Sequence, residues 1–228
     1  MSYAAGLAKQ VFTSLGGESS LCQELSKSWG EETHLGAGQT WFAHFACFCD
    51  GLALLSQWRG YSRTRDGYAL GFQVPDLLLA GSRNPNELDL YRVLYDEQSQ
   101  VYILRSFLLY AQDLWDGRPL DDDGFAHGLL SVIGGVLVSV LLRFKHPKFE
   151  DEREWRILVQ SPSDVAFRAA TGNIVPFTTI QLDATVISRV VQGPEIGRVA
   201  NRENVRRLLR ASASADIVED SIIPFSSL

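Results

Sequence analysis

Hydrophobic positions along this chain follow two periods. Near the start, Leu7, Val11, Phe12 and Leu15 recur at helical spacing, Gly16 and Gly17 break the stripe, and Leu21, Leu25 and Trp29 resume it. Residues 97–115 repeat the helical pattern. Residues 125–144 form an almost uncharged helix, and Pro147 prevents it from running past His146. Residues 198–211 give a basic amphipathic helix, and short helical turns are expected at 52–58 and 75–80, the latter with Pro75 in its first turn. Residues 40–49, 68–72, 88–95, 154–160, 165–169, 174–182 and 187–192 read as strands. The first of these, rich in aromatic and small residues, reads as buried. Residues 154–182 read as an antiparallel meander with Ser161-Pro162 and Thr171-Gly172-Asn173 at its turns. Residues 217–219 and 222–225 suggest a final edge pair. The resulting class is α+β: an antiparallel or mixed sheet, continuous or split, with a long buried central helix and additional helices. The reading is of a single domain over 1–228 with a helical insertion at about 97–146.

Composition narrows the function classes. The chain has 228 residues, 46% hydrophobic and 21% charged, so it can bury a sizeable core. A net charge of −6 argues against a broad nucleic-acid surface. Arg198, Arg202 and Arg206 do line one side of the last helix, where a solvated face is the plain reading and a nucleic-acid contact the sharper one. Cys22, Cys47 and Cys49 lack paired C-x-x-C spacing, and reduced buried thiols of a cytoplasmic protein are expected. The uncharged core of the central helix, Leu129 to Leu142, is short for a span, so no membrane is expected. No signal peptide pattern opens the chain. His44, His127 and His146 show no metal spacing, and no phosphate loop, G-x-S-x-G elbow or G-x-G-x-x-G turn is present. Three aspartates, Asp121 to Asp123, suit the cap of the central helix.

Two stretches carry candidate chemistry. In the first, Glu152 and Glu154 stand two apart at the entry of a strand whose side chains alternate through Trp155, Arg156, Ile157, Leu158 and Val159. In an extended chain they share a face, and like charges that close raise at least one pKa unless Arg153 or Arg156 intervenes. One carboxylate then suits a general base or a stabiliser of a cationic transition state, against a structural reading as salt-bridge partners. In the second, Ser56, Gln57, Trp58, Arg59 and Tyr61 fall within six residues, beside Gly60. An aromatic pair with a guanidinium can stack a flat ring and hold a phosphate or carboxylate. The structural alternative places Trp58 in the core and Arg59 against a buried acid such as Glu154.

These stretches also carry a family resemblance. Leu54-Leu55-Ser56-Gln57-Trp58-Arg59-Gly60-Tyr61, Gly67 to Phe72, Val93-Leu94-Tyr95-Asp96, Lys145-His146-Pro147 with Phe149, and Glu152-Arg153-Glu154-Trp155-Arg156 occur in order. Ile174-Val175-Pro176-Phe177, Val191-Gln192-Gly193-Pro194 and Ile223-Pro224-Phe225 follow. The series resembles the bacterial family known as domain of unknown function two-nine-seven-one, from about residue 40 onward. Members usually begin with a strand reading Leu-Tyr-His-Tyr-Thr. The resemblance implies a shortened member, with an open sheet edge that invites a homo-oligomer. The family layout is in turn similar to ADP-ribosyltransferases, which hold NAD in a split antiparallel sheet. By that likeness Glu154 would bind the nicotinamide ribose and stabilise an oxocarbenium-like charge, and Glu152 would orient the acceptor. Trp58, Arg59 and Tyr61 would contact the nucleotide, with Arg156 beside them.

Three readings follow. One is a non-catalytic ligand- or partner-binding module with a small nucleotide as ligand. Another is an NAD-consuming transferase or glycohydrolase acting in toxin or antiphage defence. The third is a metal-dependent nucleic-acid enzyme using the carboxylates.

Overall fold

The computed structural model describes residues 2–17, 19–28, 44–51, 55–61, 67–82, 87–119, 122–160, 164–170, 172–182, 184–193, 198–210 and 218–220. The chain divides into two compact units, and the dividing line crosses one strand. The first comprises residues 1–43 and 91–151, the second residues 44–90 and 152–228.

The first unit is helical. It contains α1 (Ser2–Leu15), α2 (Ser20–Ser28), α5 (Glu97–Asp116) and α6 (Asp123–Leu141). The apolar stripe expected at the start is the one buried here: Leu7, Val11, Phe12, Leu15, Leu21 and Leu25 all join the core, and Ala4 and Ala8 complete the α1 face. Leu104, Leu108, Ala111 and Trp115 of α5 and Ile133, Leu137 and Leu141 of α6 close on them. Trp29 lies outside the described residues.

Caps set the helix ends. Asp96 accepts a hydrogen bond from the Ser99 amide at 2.8 Å, and that bond holds its carboxyl below the usual carboxylate range. Asp122 caps α6 through the Phe125 amide, also at 2.8 Å, as the aspartate run suggested. Ser19 plays the same part for α2, receiving the Cys22 amide while its hydroxyl donates to Gln112 Oε1. The central helix is not sunk on all sides. Ile133, Gly134, Leu137, Val138 and Leu141 are buried, whereas Phe125, Val132 and Val136 are exposed. By length and composition it could cross a membrane, because the uncharged run extends further toward the N-terminus than Leu129.

The second unit carries two three-stranded sheets and a hairpin, so the sheet is split. In the first, β4 (Glu154–Gln160) lies between β1 (His44–Cys49) and β3 (Glu87–Arg92). In the second, β7 (Ile187–Gln192) lies between β2 (Tyr68–Phe72), antiparallel, and β8 (Val218–Asp220), parallel. Among the described residues, β5 (Ala166–Ala170) and β6 (Asn173–Phe177) pair only with each other. Helices α3 (Leu55–Tyr61), α4 (Val74–Ser82) and α7 (Arg198–Arg210) complete the unit. Phe48 of β1 meets Phe72 of β2 edge to face, with ring centres 5.7 Å apart. Where β2 bulges after Gly71, a Cβ there would come within 2.9 Å of the Arg189 Cβ, so glycine lets the strands close.

Several expectations are corrected. The meander from β4 into β5 does not form, because β1 and β3 occupy both edges of β4. The strand expected to be buried at 40–49 is described from His44, lies at a sheet edge, and exposes most of its residues. Consequently Cys47 and Cys49 are exposed as residues, and only Cys22 is buried. The helical turn expected at 52–58 is described from Leu55 and runs on to Tyr61, taking in Arg59 and Gly60, while residues 52–54 lie outside the described residues. β8 adds parallel to β7, and residues 222–225, the other half of the expected edge pair, lie outside the described residues.

Candidate functional site

Strand β4 brings the charged pair inward. Neighbours occupy both its edges, and Ile157, Leu158 and Val159, which alternate between its two faces, are all buried. Glu154, only 4% exposed, and the buried Arg156 stand two apart and therefore on one face. Arg156 Nε donates to Glu154 Oε1 at 2.7 Å, and its Nη2 donates to Oε2 at 3.2 Å. This is a fork-to-fork contact, the strongest geometry a guanidinium and a carboxylate can adopt.

The register with β1 supplies the rest of that face. Glu154 lies opposite Cys49, Arg156 opposite Cys47, and Leu158 opposite Phe45. The Arg156 guanidinium carbon sits 5.2 Å from the Phe45 ring centre, within cation–π range. The Cys47 thiol meets the Glu154 carboxylate. Although much of Cys47 is accessible along the edge strand, its thiol is desolvated by its neighbours. That desolvation, then the Glu154 hydrogen bond and charge, push it up to about 11, against a smaller opposing pull from Arg156. Cys49 is also raised, chiefly by desolvation. Neither thiol is therefore primed as a nucleophile.

A reactivity test follows. At mildly alkaline pH a pKa near 11 leaves Cys47 with ~100-fold less thiolate than an ordinary cysteine, and its higher basicity recovers only ~10-fold in nucleophilicity. Iodoacetamide is thus expected to label Cys47 about tenfold more slowly than an unstructured thiol, read by peptide mass spectrometry. Labelling at the free-thiol rate would show the sulfur to be solvated.

The paired-carboxylate expectation is corrected in its geometry. Glu152 ends a 3₁₀ turn, Pro147–Glu152, and Arg153 follows in a left-handed conformation at φ 45°. Strand geometry starts only at Glu154, so the two carboxylates do not share a strand face. The turn is fixed by the Asp50 amide, which donates to the Arg153 carbonyl at 2.8 Å. A non-glycine residue in this region costs of order 1 kcal/mol, and the Asp50 bond helps to offset it.

The aromatic–guanidinium cluster sits on α3. Trp58 is buried, Gln57 is half-buried, and Tyr61 is 78% exposed one turn beyond Trp58. Ser56 and Arg59 belong to the same helix, but their side chains lie outside the described residues. The contacts described for Glu154 and Arg156 join them to each other, to Cys47 and to Phe45. Sequence reasoning missed Phe45 and Cys47, whose only signal was their i, i+2 spacing on a predicted strand. Among the described residues, no group of three or more His, Cys, Asp or Glu could hold a metal ion.

No curated protein and no solved structure matches the chain. A family model does match, over residues 57–157, a shorter stretch than the run of motifs from residue 40 suggested. The matched region opens inside the Ser-Gln-Trp-Arg word and closes just after Glu-x-Glu-Trp-Arg, so it is bounded by α3 at one end and the Glu154–Arg156 pair at the other. Over those residues the chain matches the model of the family described as protein of unknown function DUF2971.

Proposed function

We propose that this chain is a binding module for a small nucleotide-like ligand and that it breaks no bond in that ligand. The observation that carries the reading is the Glu154–Arg156 fork. A carboxylate already engaged through both oxygens by a buried guanidinium is poorly placed to take up a proton or to stabilise an oxocarbenium ion. The 3₁₀ turn and the left-handed Arg153 also remove Glu152 from the strand face on which an NAD-consuming transferase would need it. Tyr61, exposed on α3 beside the buried Trp58, offers a ring on which a base can stack.

The test uses the full chain. NAD, ADP-ribose and AMP are titrated by calorimetry, and nicotinamide release from NAD is followed by chromatography. Saturable binding of at least one of the three, without nicotinamide release, is expected. Tyr61→Ala should weaken it roughly tenfold, the lower end of what losing one stacked base is worth. Because Tyr61 is exposed, its melting temperature should not move. Binding of none of the three would end the nucleotide reading. Nicotinamide release that disappears in a folded Glu154→Gln variant would replace it with the NAD-consuming enzyme.

A further inference from the structure

We propose that Cys47 and Cys49 together bind one copper(I) ion, held between their two sulfurs. Both are free cysteines, exposed as residues, on β1 at the edge of its sheet. They stand two apart in extended chain, so their side chains leave the same face. That face carries the Glu154–Arg156 fork, with Glu154 opposite Cys49 and Arg156 opposite Cys47.

Strand geometry decides what the two sulfurs can do. Same-face neighbours along a strand stand about 6–7 Å apart at Cβ, whereas a disulfide needs roughly 3.5–4.5 Å there. The pair therefore does not close on itself while β1 stays paired with β4 from His44 to Cys49. An ion fits the gap. Thiolate–metal bonds of about 2.3 Å, the length found at zinc, set two sulfurs roughly 4.6 Å apart in a line. Two side chains leaning toward each other from adjacent same-face positions reach that separation.

The donor set selects the ion. Thiolates favour soft metals, copper(I) and zinc among them. Zinc takes four protein ligands in a structural site and three in a catalytic one. Among the described residues no group of three His, Cys, Asp or Glu supplies them. Glu154 is already engaged, since both of its oxygens accept from Arg156. Copper(I) is content with two sulfurs in a line. Binding replaces two S–H protons, which leave to solvent, and no electron moves. The Cys49 sulfur gives up a long contact, its donation to the Gly51 carbonyl at 3.6 Å. Cys47 gives up its hydrogen bond to Glu154, and Arg156 opposite it places a positive charge beside the thiolate that forms. Because desolvation raises both thiols, protons compete with the ion and affinity climbs with pH.

The test titrates the full chain with copper(I) in the absence of oxygen, against bicinchoninate as competing chelator. One ion per chain is expected, both in the parent and in Cys22→Ser. Cys47→Ser and Cys49→Ser should each weaken binding at least roughly 100-fold, with the circular dichroism melt unmoved because both positions are exposed. Affinity should rise about 100-fold per pH unit near neutrality, since two protons leave for each ion bound. Zinc should not displace the copper. Equal copper uptake by the double variant Cys47→Ser, Cys49→Ser, a pH slope of a single proton, displacement by zinc, or a copper-dependent doubling of mass in sedimentation velocity would each overturn the proposal.

Discussion

Glu154→Ala is expected to destabilise the second unit by about 3–5 kcal/mol, the cost of breaking a buried, doubly hydrogen-bonded ion pair by removing one partner. Arg156 would keep its position on the central strand, beside Phe45, and lose the two hydrogen bonds it makes to Glu154. The informative control is the double change Glu154→Met, Arg156→Met. Removing both charges removes both desolvation penalties, so that variant should lie within ~1 kcal/mol of the parent or above it. Hydrogen exchange at the amides of Ile157 to Val159 reads the effect locally, which matters in a chain with two units. Single and double variants that lose equal protection would mean the pair contributes packing and no electrostatics.

Gln100→Leu is expected to cost roughly 2–4 kcal/mol in the helical unit, because it strands several partners at once. Gln100 is completely buried and its amide is fully used. Its Nε2 donates to the Leu94 carbonyl at 2.7 Å and the Lys145 carbonyl at 2.9 Å, while Oε1 accepts from the Tyr3 hydroxyl at 2.9 Å. The Tyr3 hydroxyl also has Glu97 Oε2 at 3.3 Å, and desolvation, with the Glu97 charge second, raises its pKa. The residue thus ties α1, the start of α5 and the Leu94–Phe144 bridge together. Gln100→Glu separates hydrogen bonding from volume. Its carboxylate would face two carbonyls and be held neutral by burial, with a folded pKa above the unfolded one. Stability should therefore be greatest at low pH and fall as pH rises through that folded value. A flat pH profile for Gln100→Glu would show that water reaches the site.

Much of this fold was legible from periodicity. The α1 and α2 stripes needed only the spacing of Leu7, Val11, Phe12, Leu15, Leu21 and Leu25. The alternation from Glu154 to Val159 located β4 to the residue. What was hidden depended on partners distant in sequence. Nothing in the words Cys-Phe-Cys and Glu-Trp-Arg says that Cys47 faces Arg156, because register is decided by the whole sheet. Arg153 gave no warning of a left-handed turn, since that conformation is signalled by glycine or asparagine. So two carboxylates assigned to one strand face were divided by a bend. The α6 helix was recognisable, but its buried side was not, because an element apolar all round carries no moment to orient it. The α3 cluster was found as a word, and its exposure was not, as Trp58 and Tyr61 are chemically alike and differ only in where the helix turns them.

The order in which the two units can be completed is written into their connectivity. The helical unit has all its residues once Asp151 is made, whereas β1 must wait for β4, and β7 receives its parallel neighbour only when Val218 to Asp220 arrive after α7. During synthesis on the ribosome, then, a finished helical body is followed by a half-built sheet whose edges stand open. The vulnerable interval in the life of this protein is the late one, and substitutions that slow α7 or β8 should show first as lost yield from translation, before any change in the finished molecule.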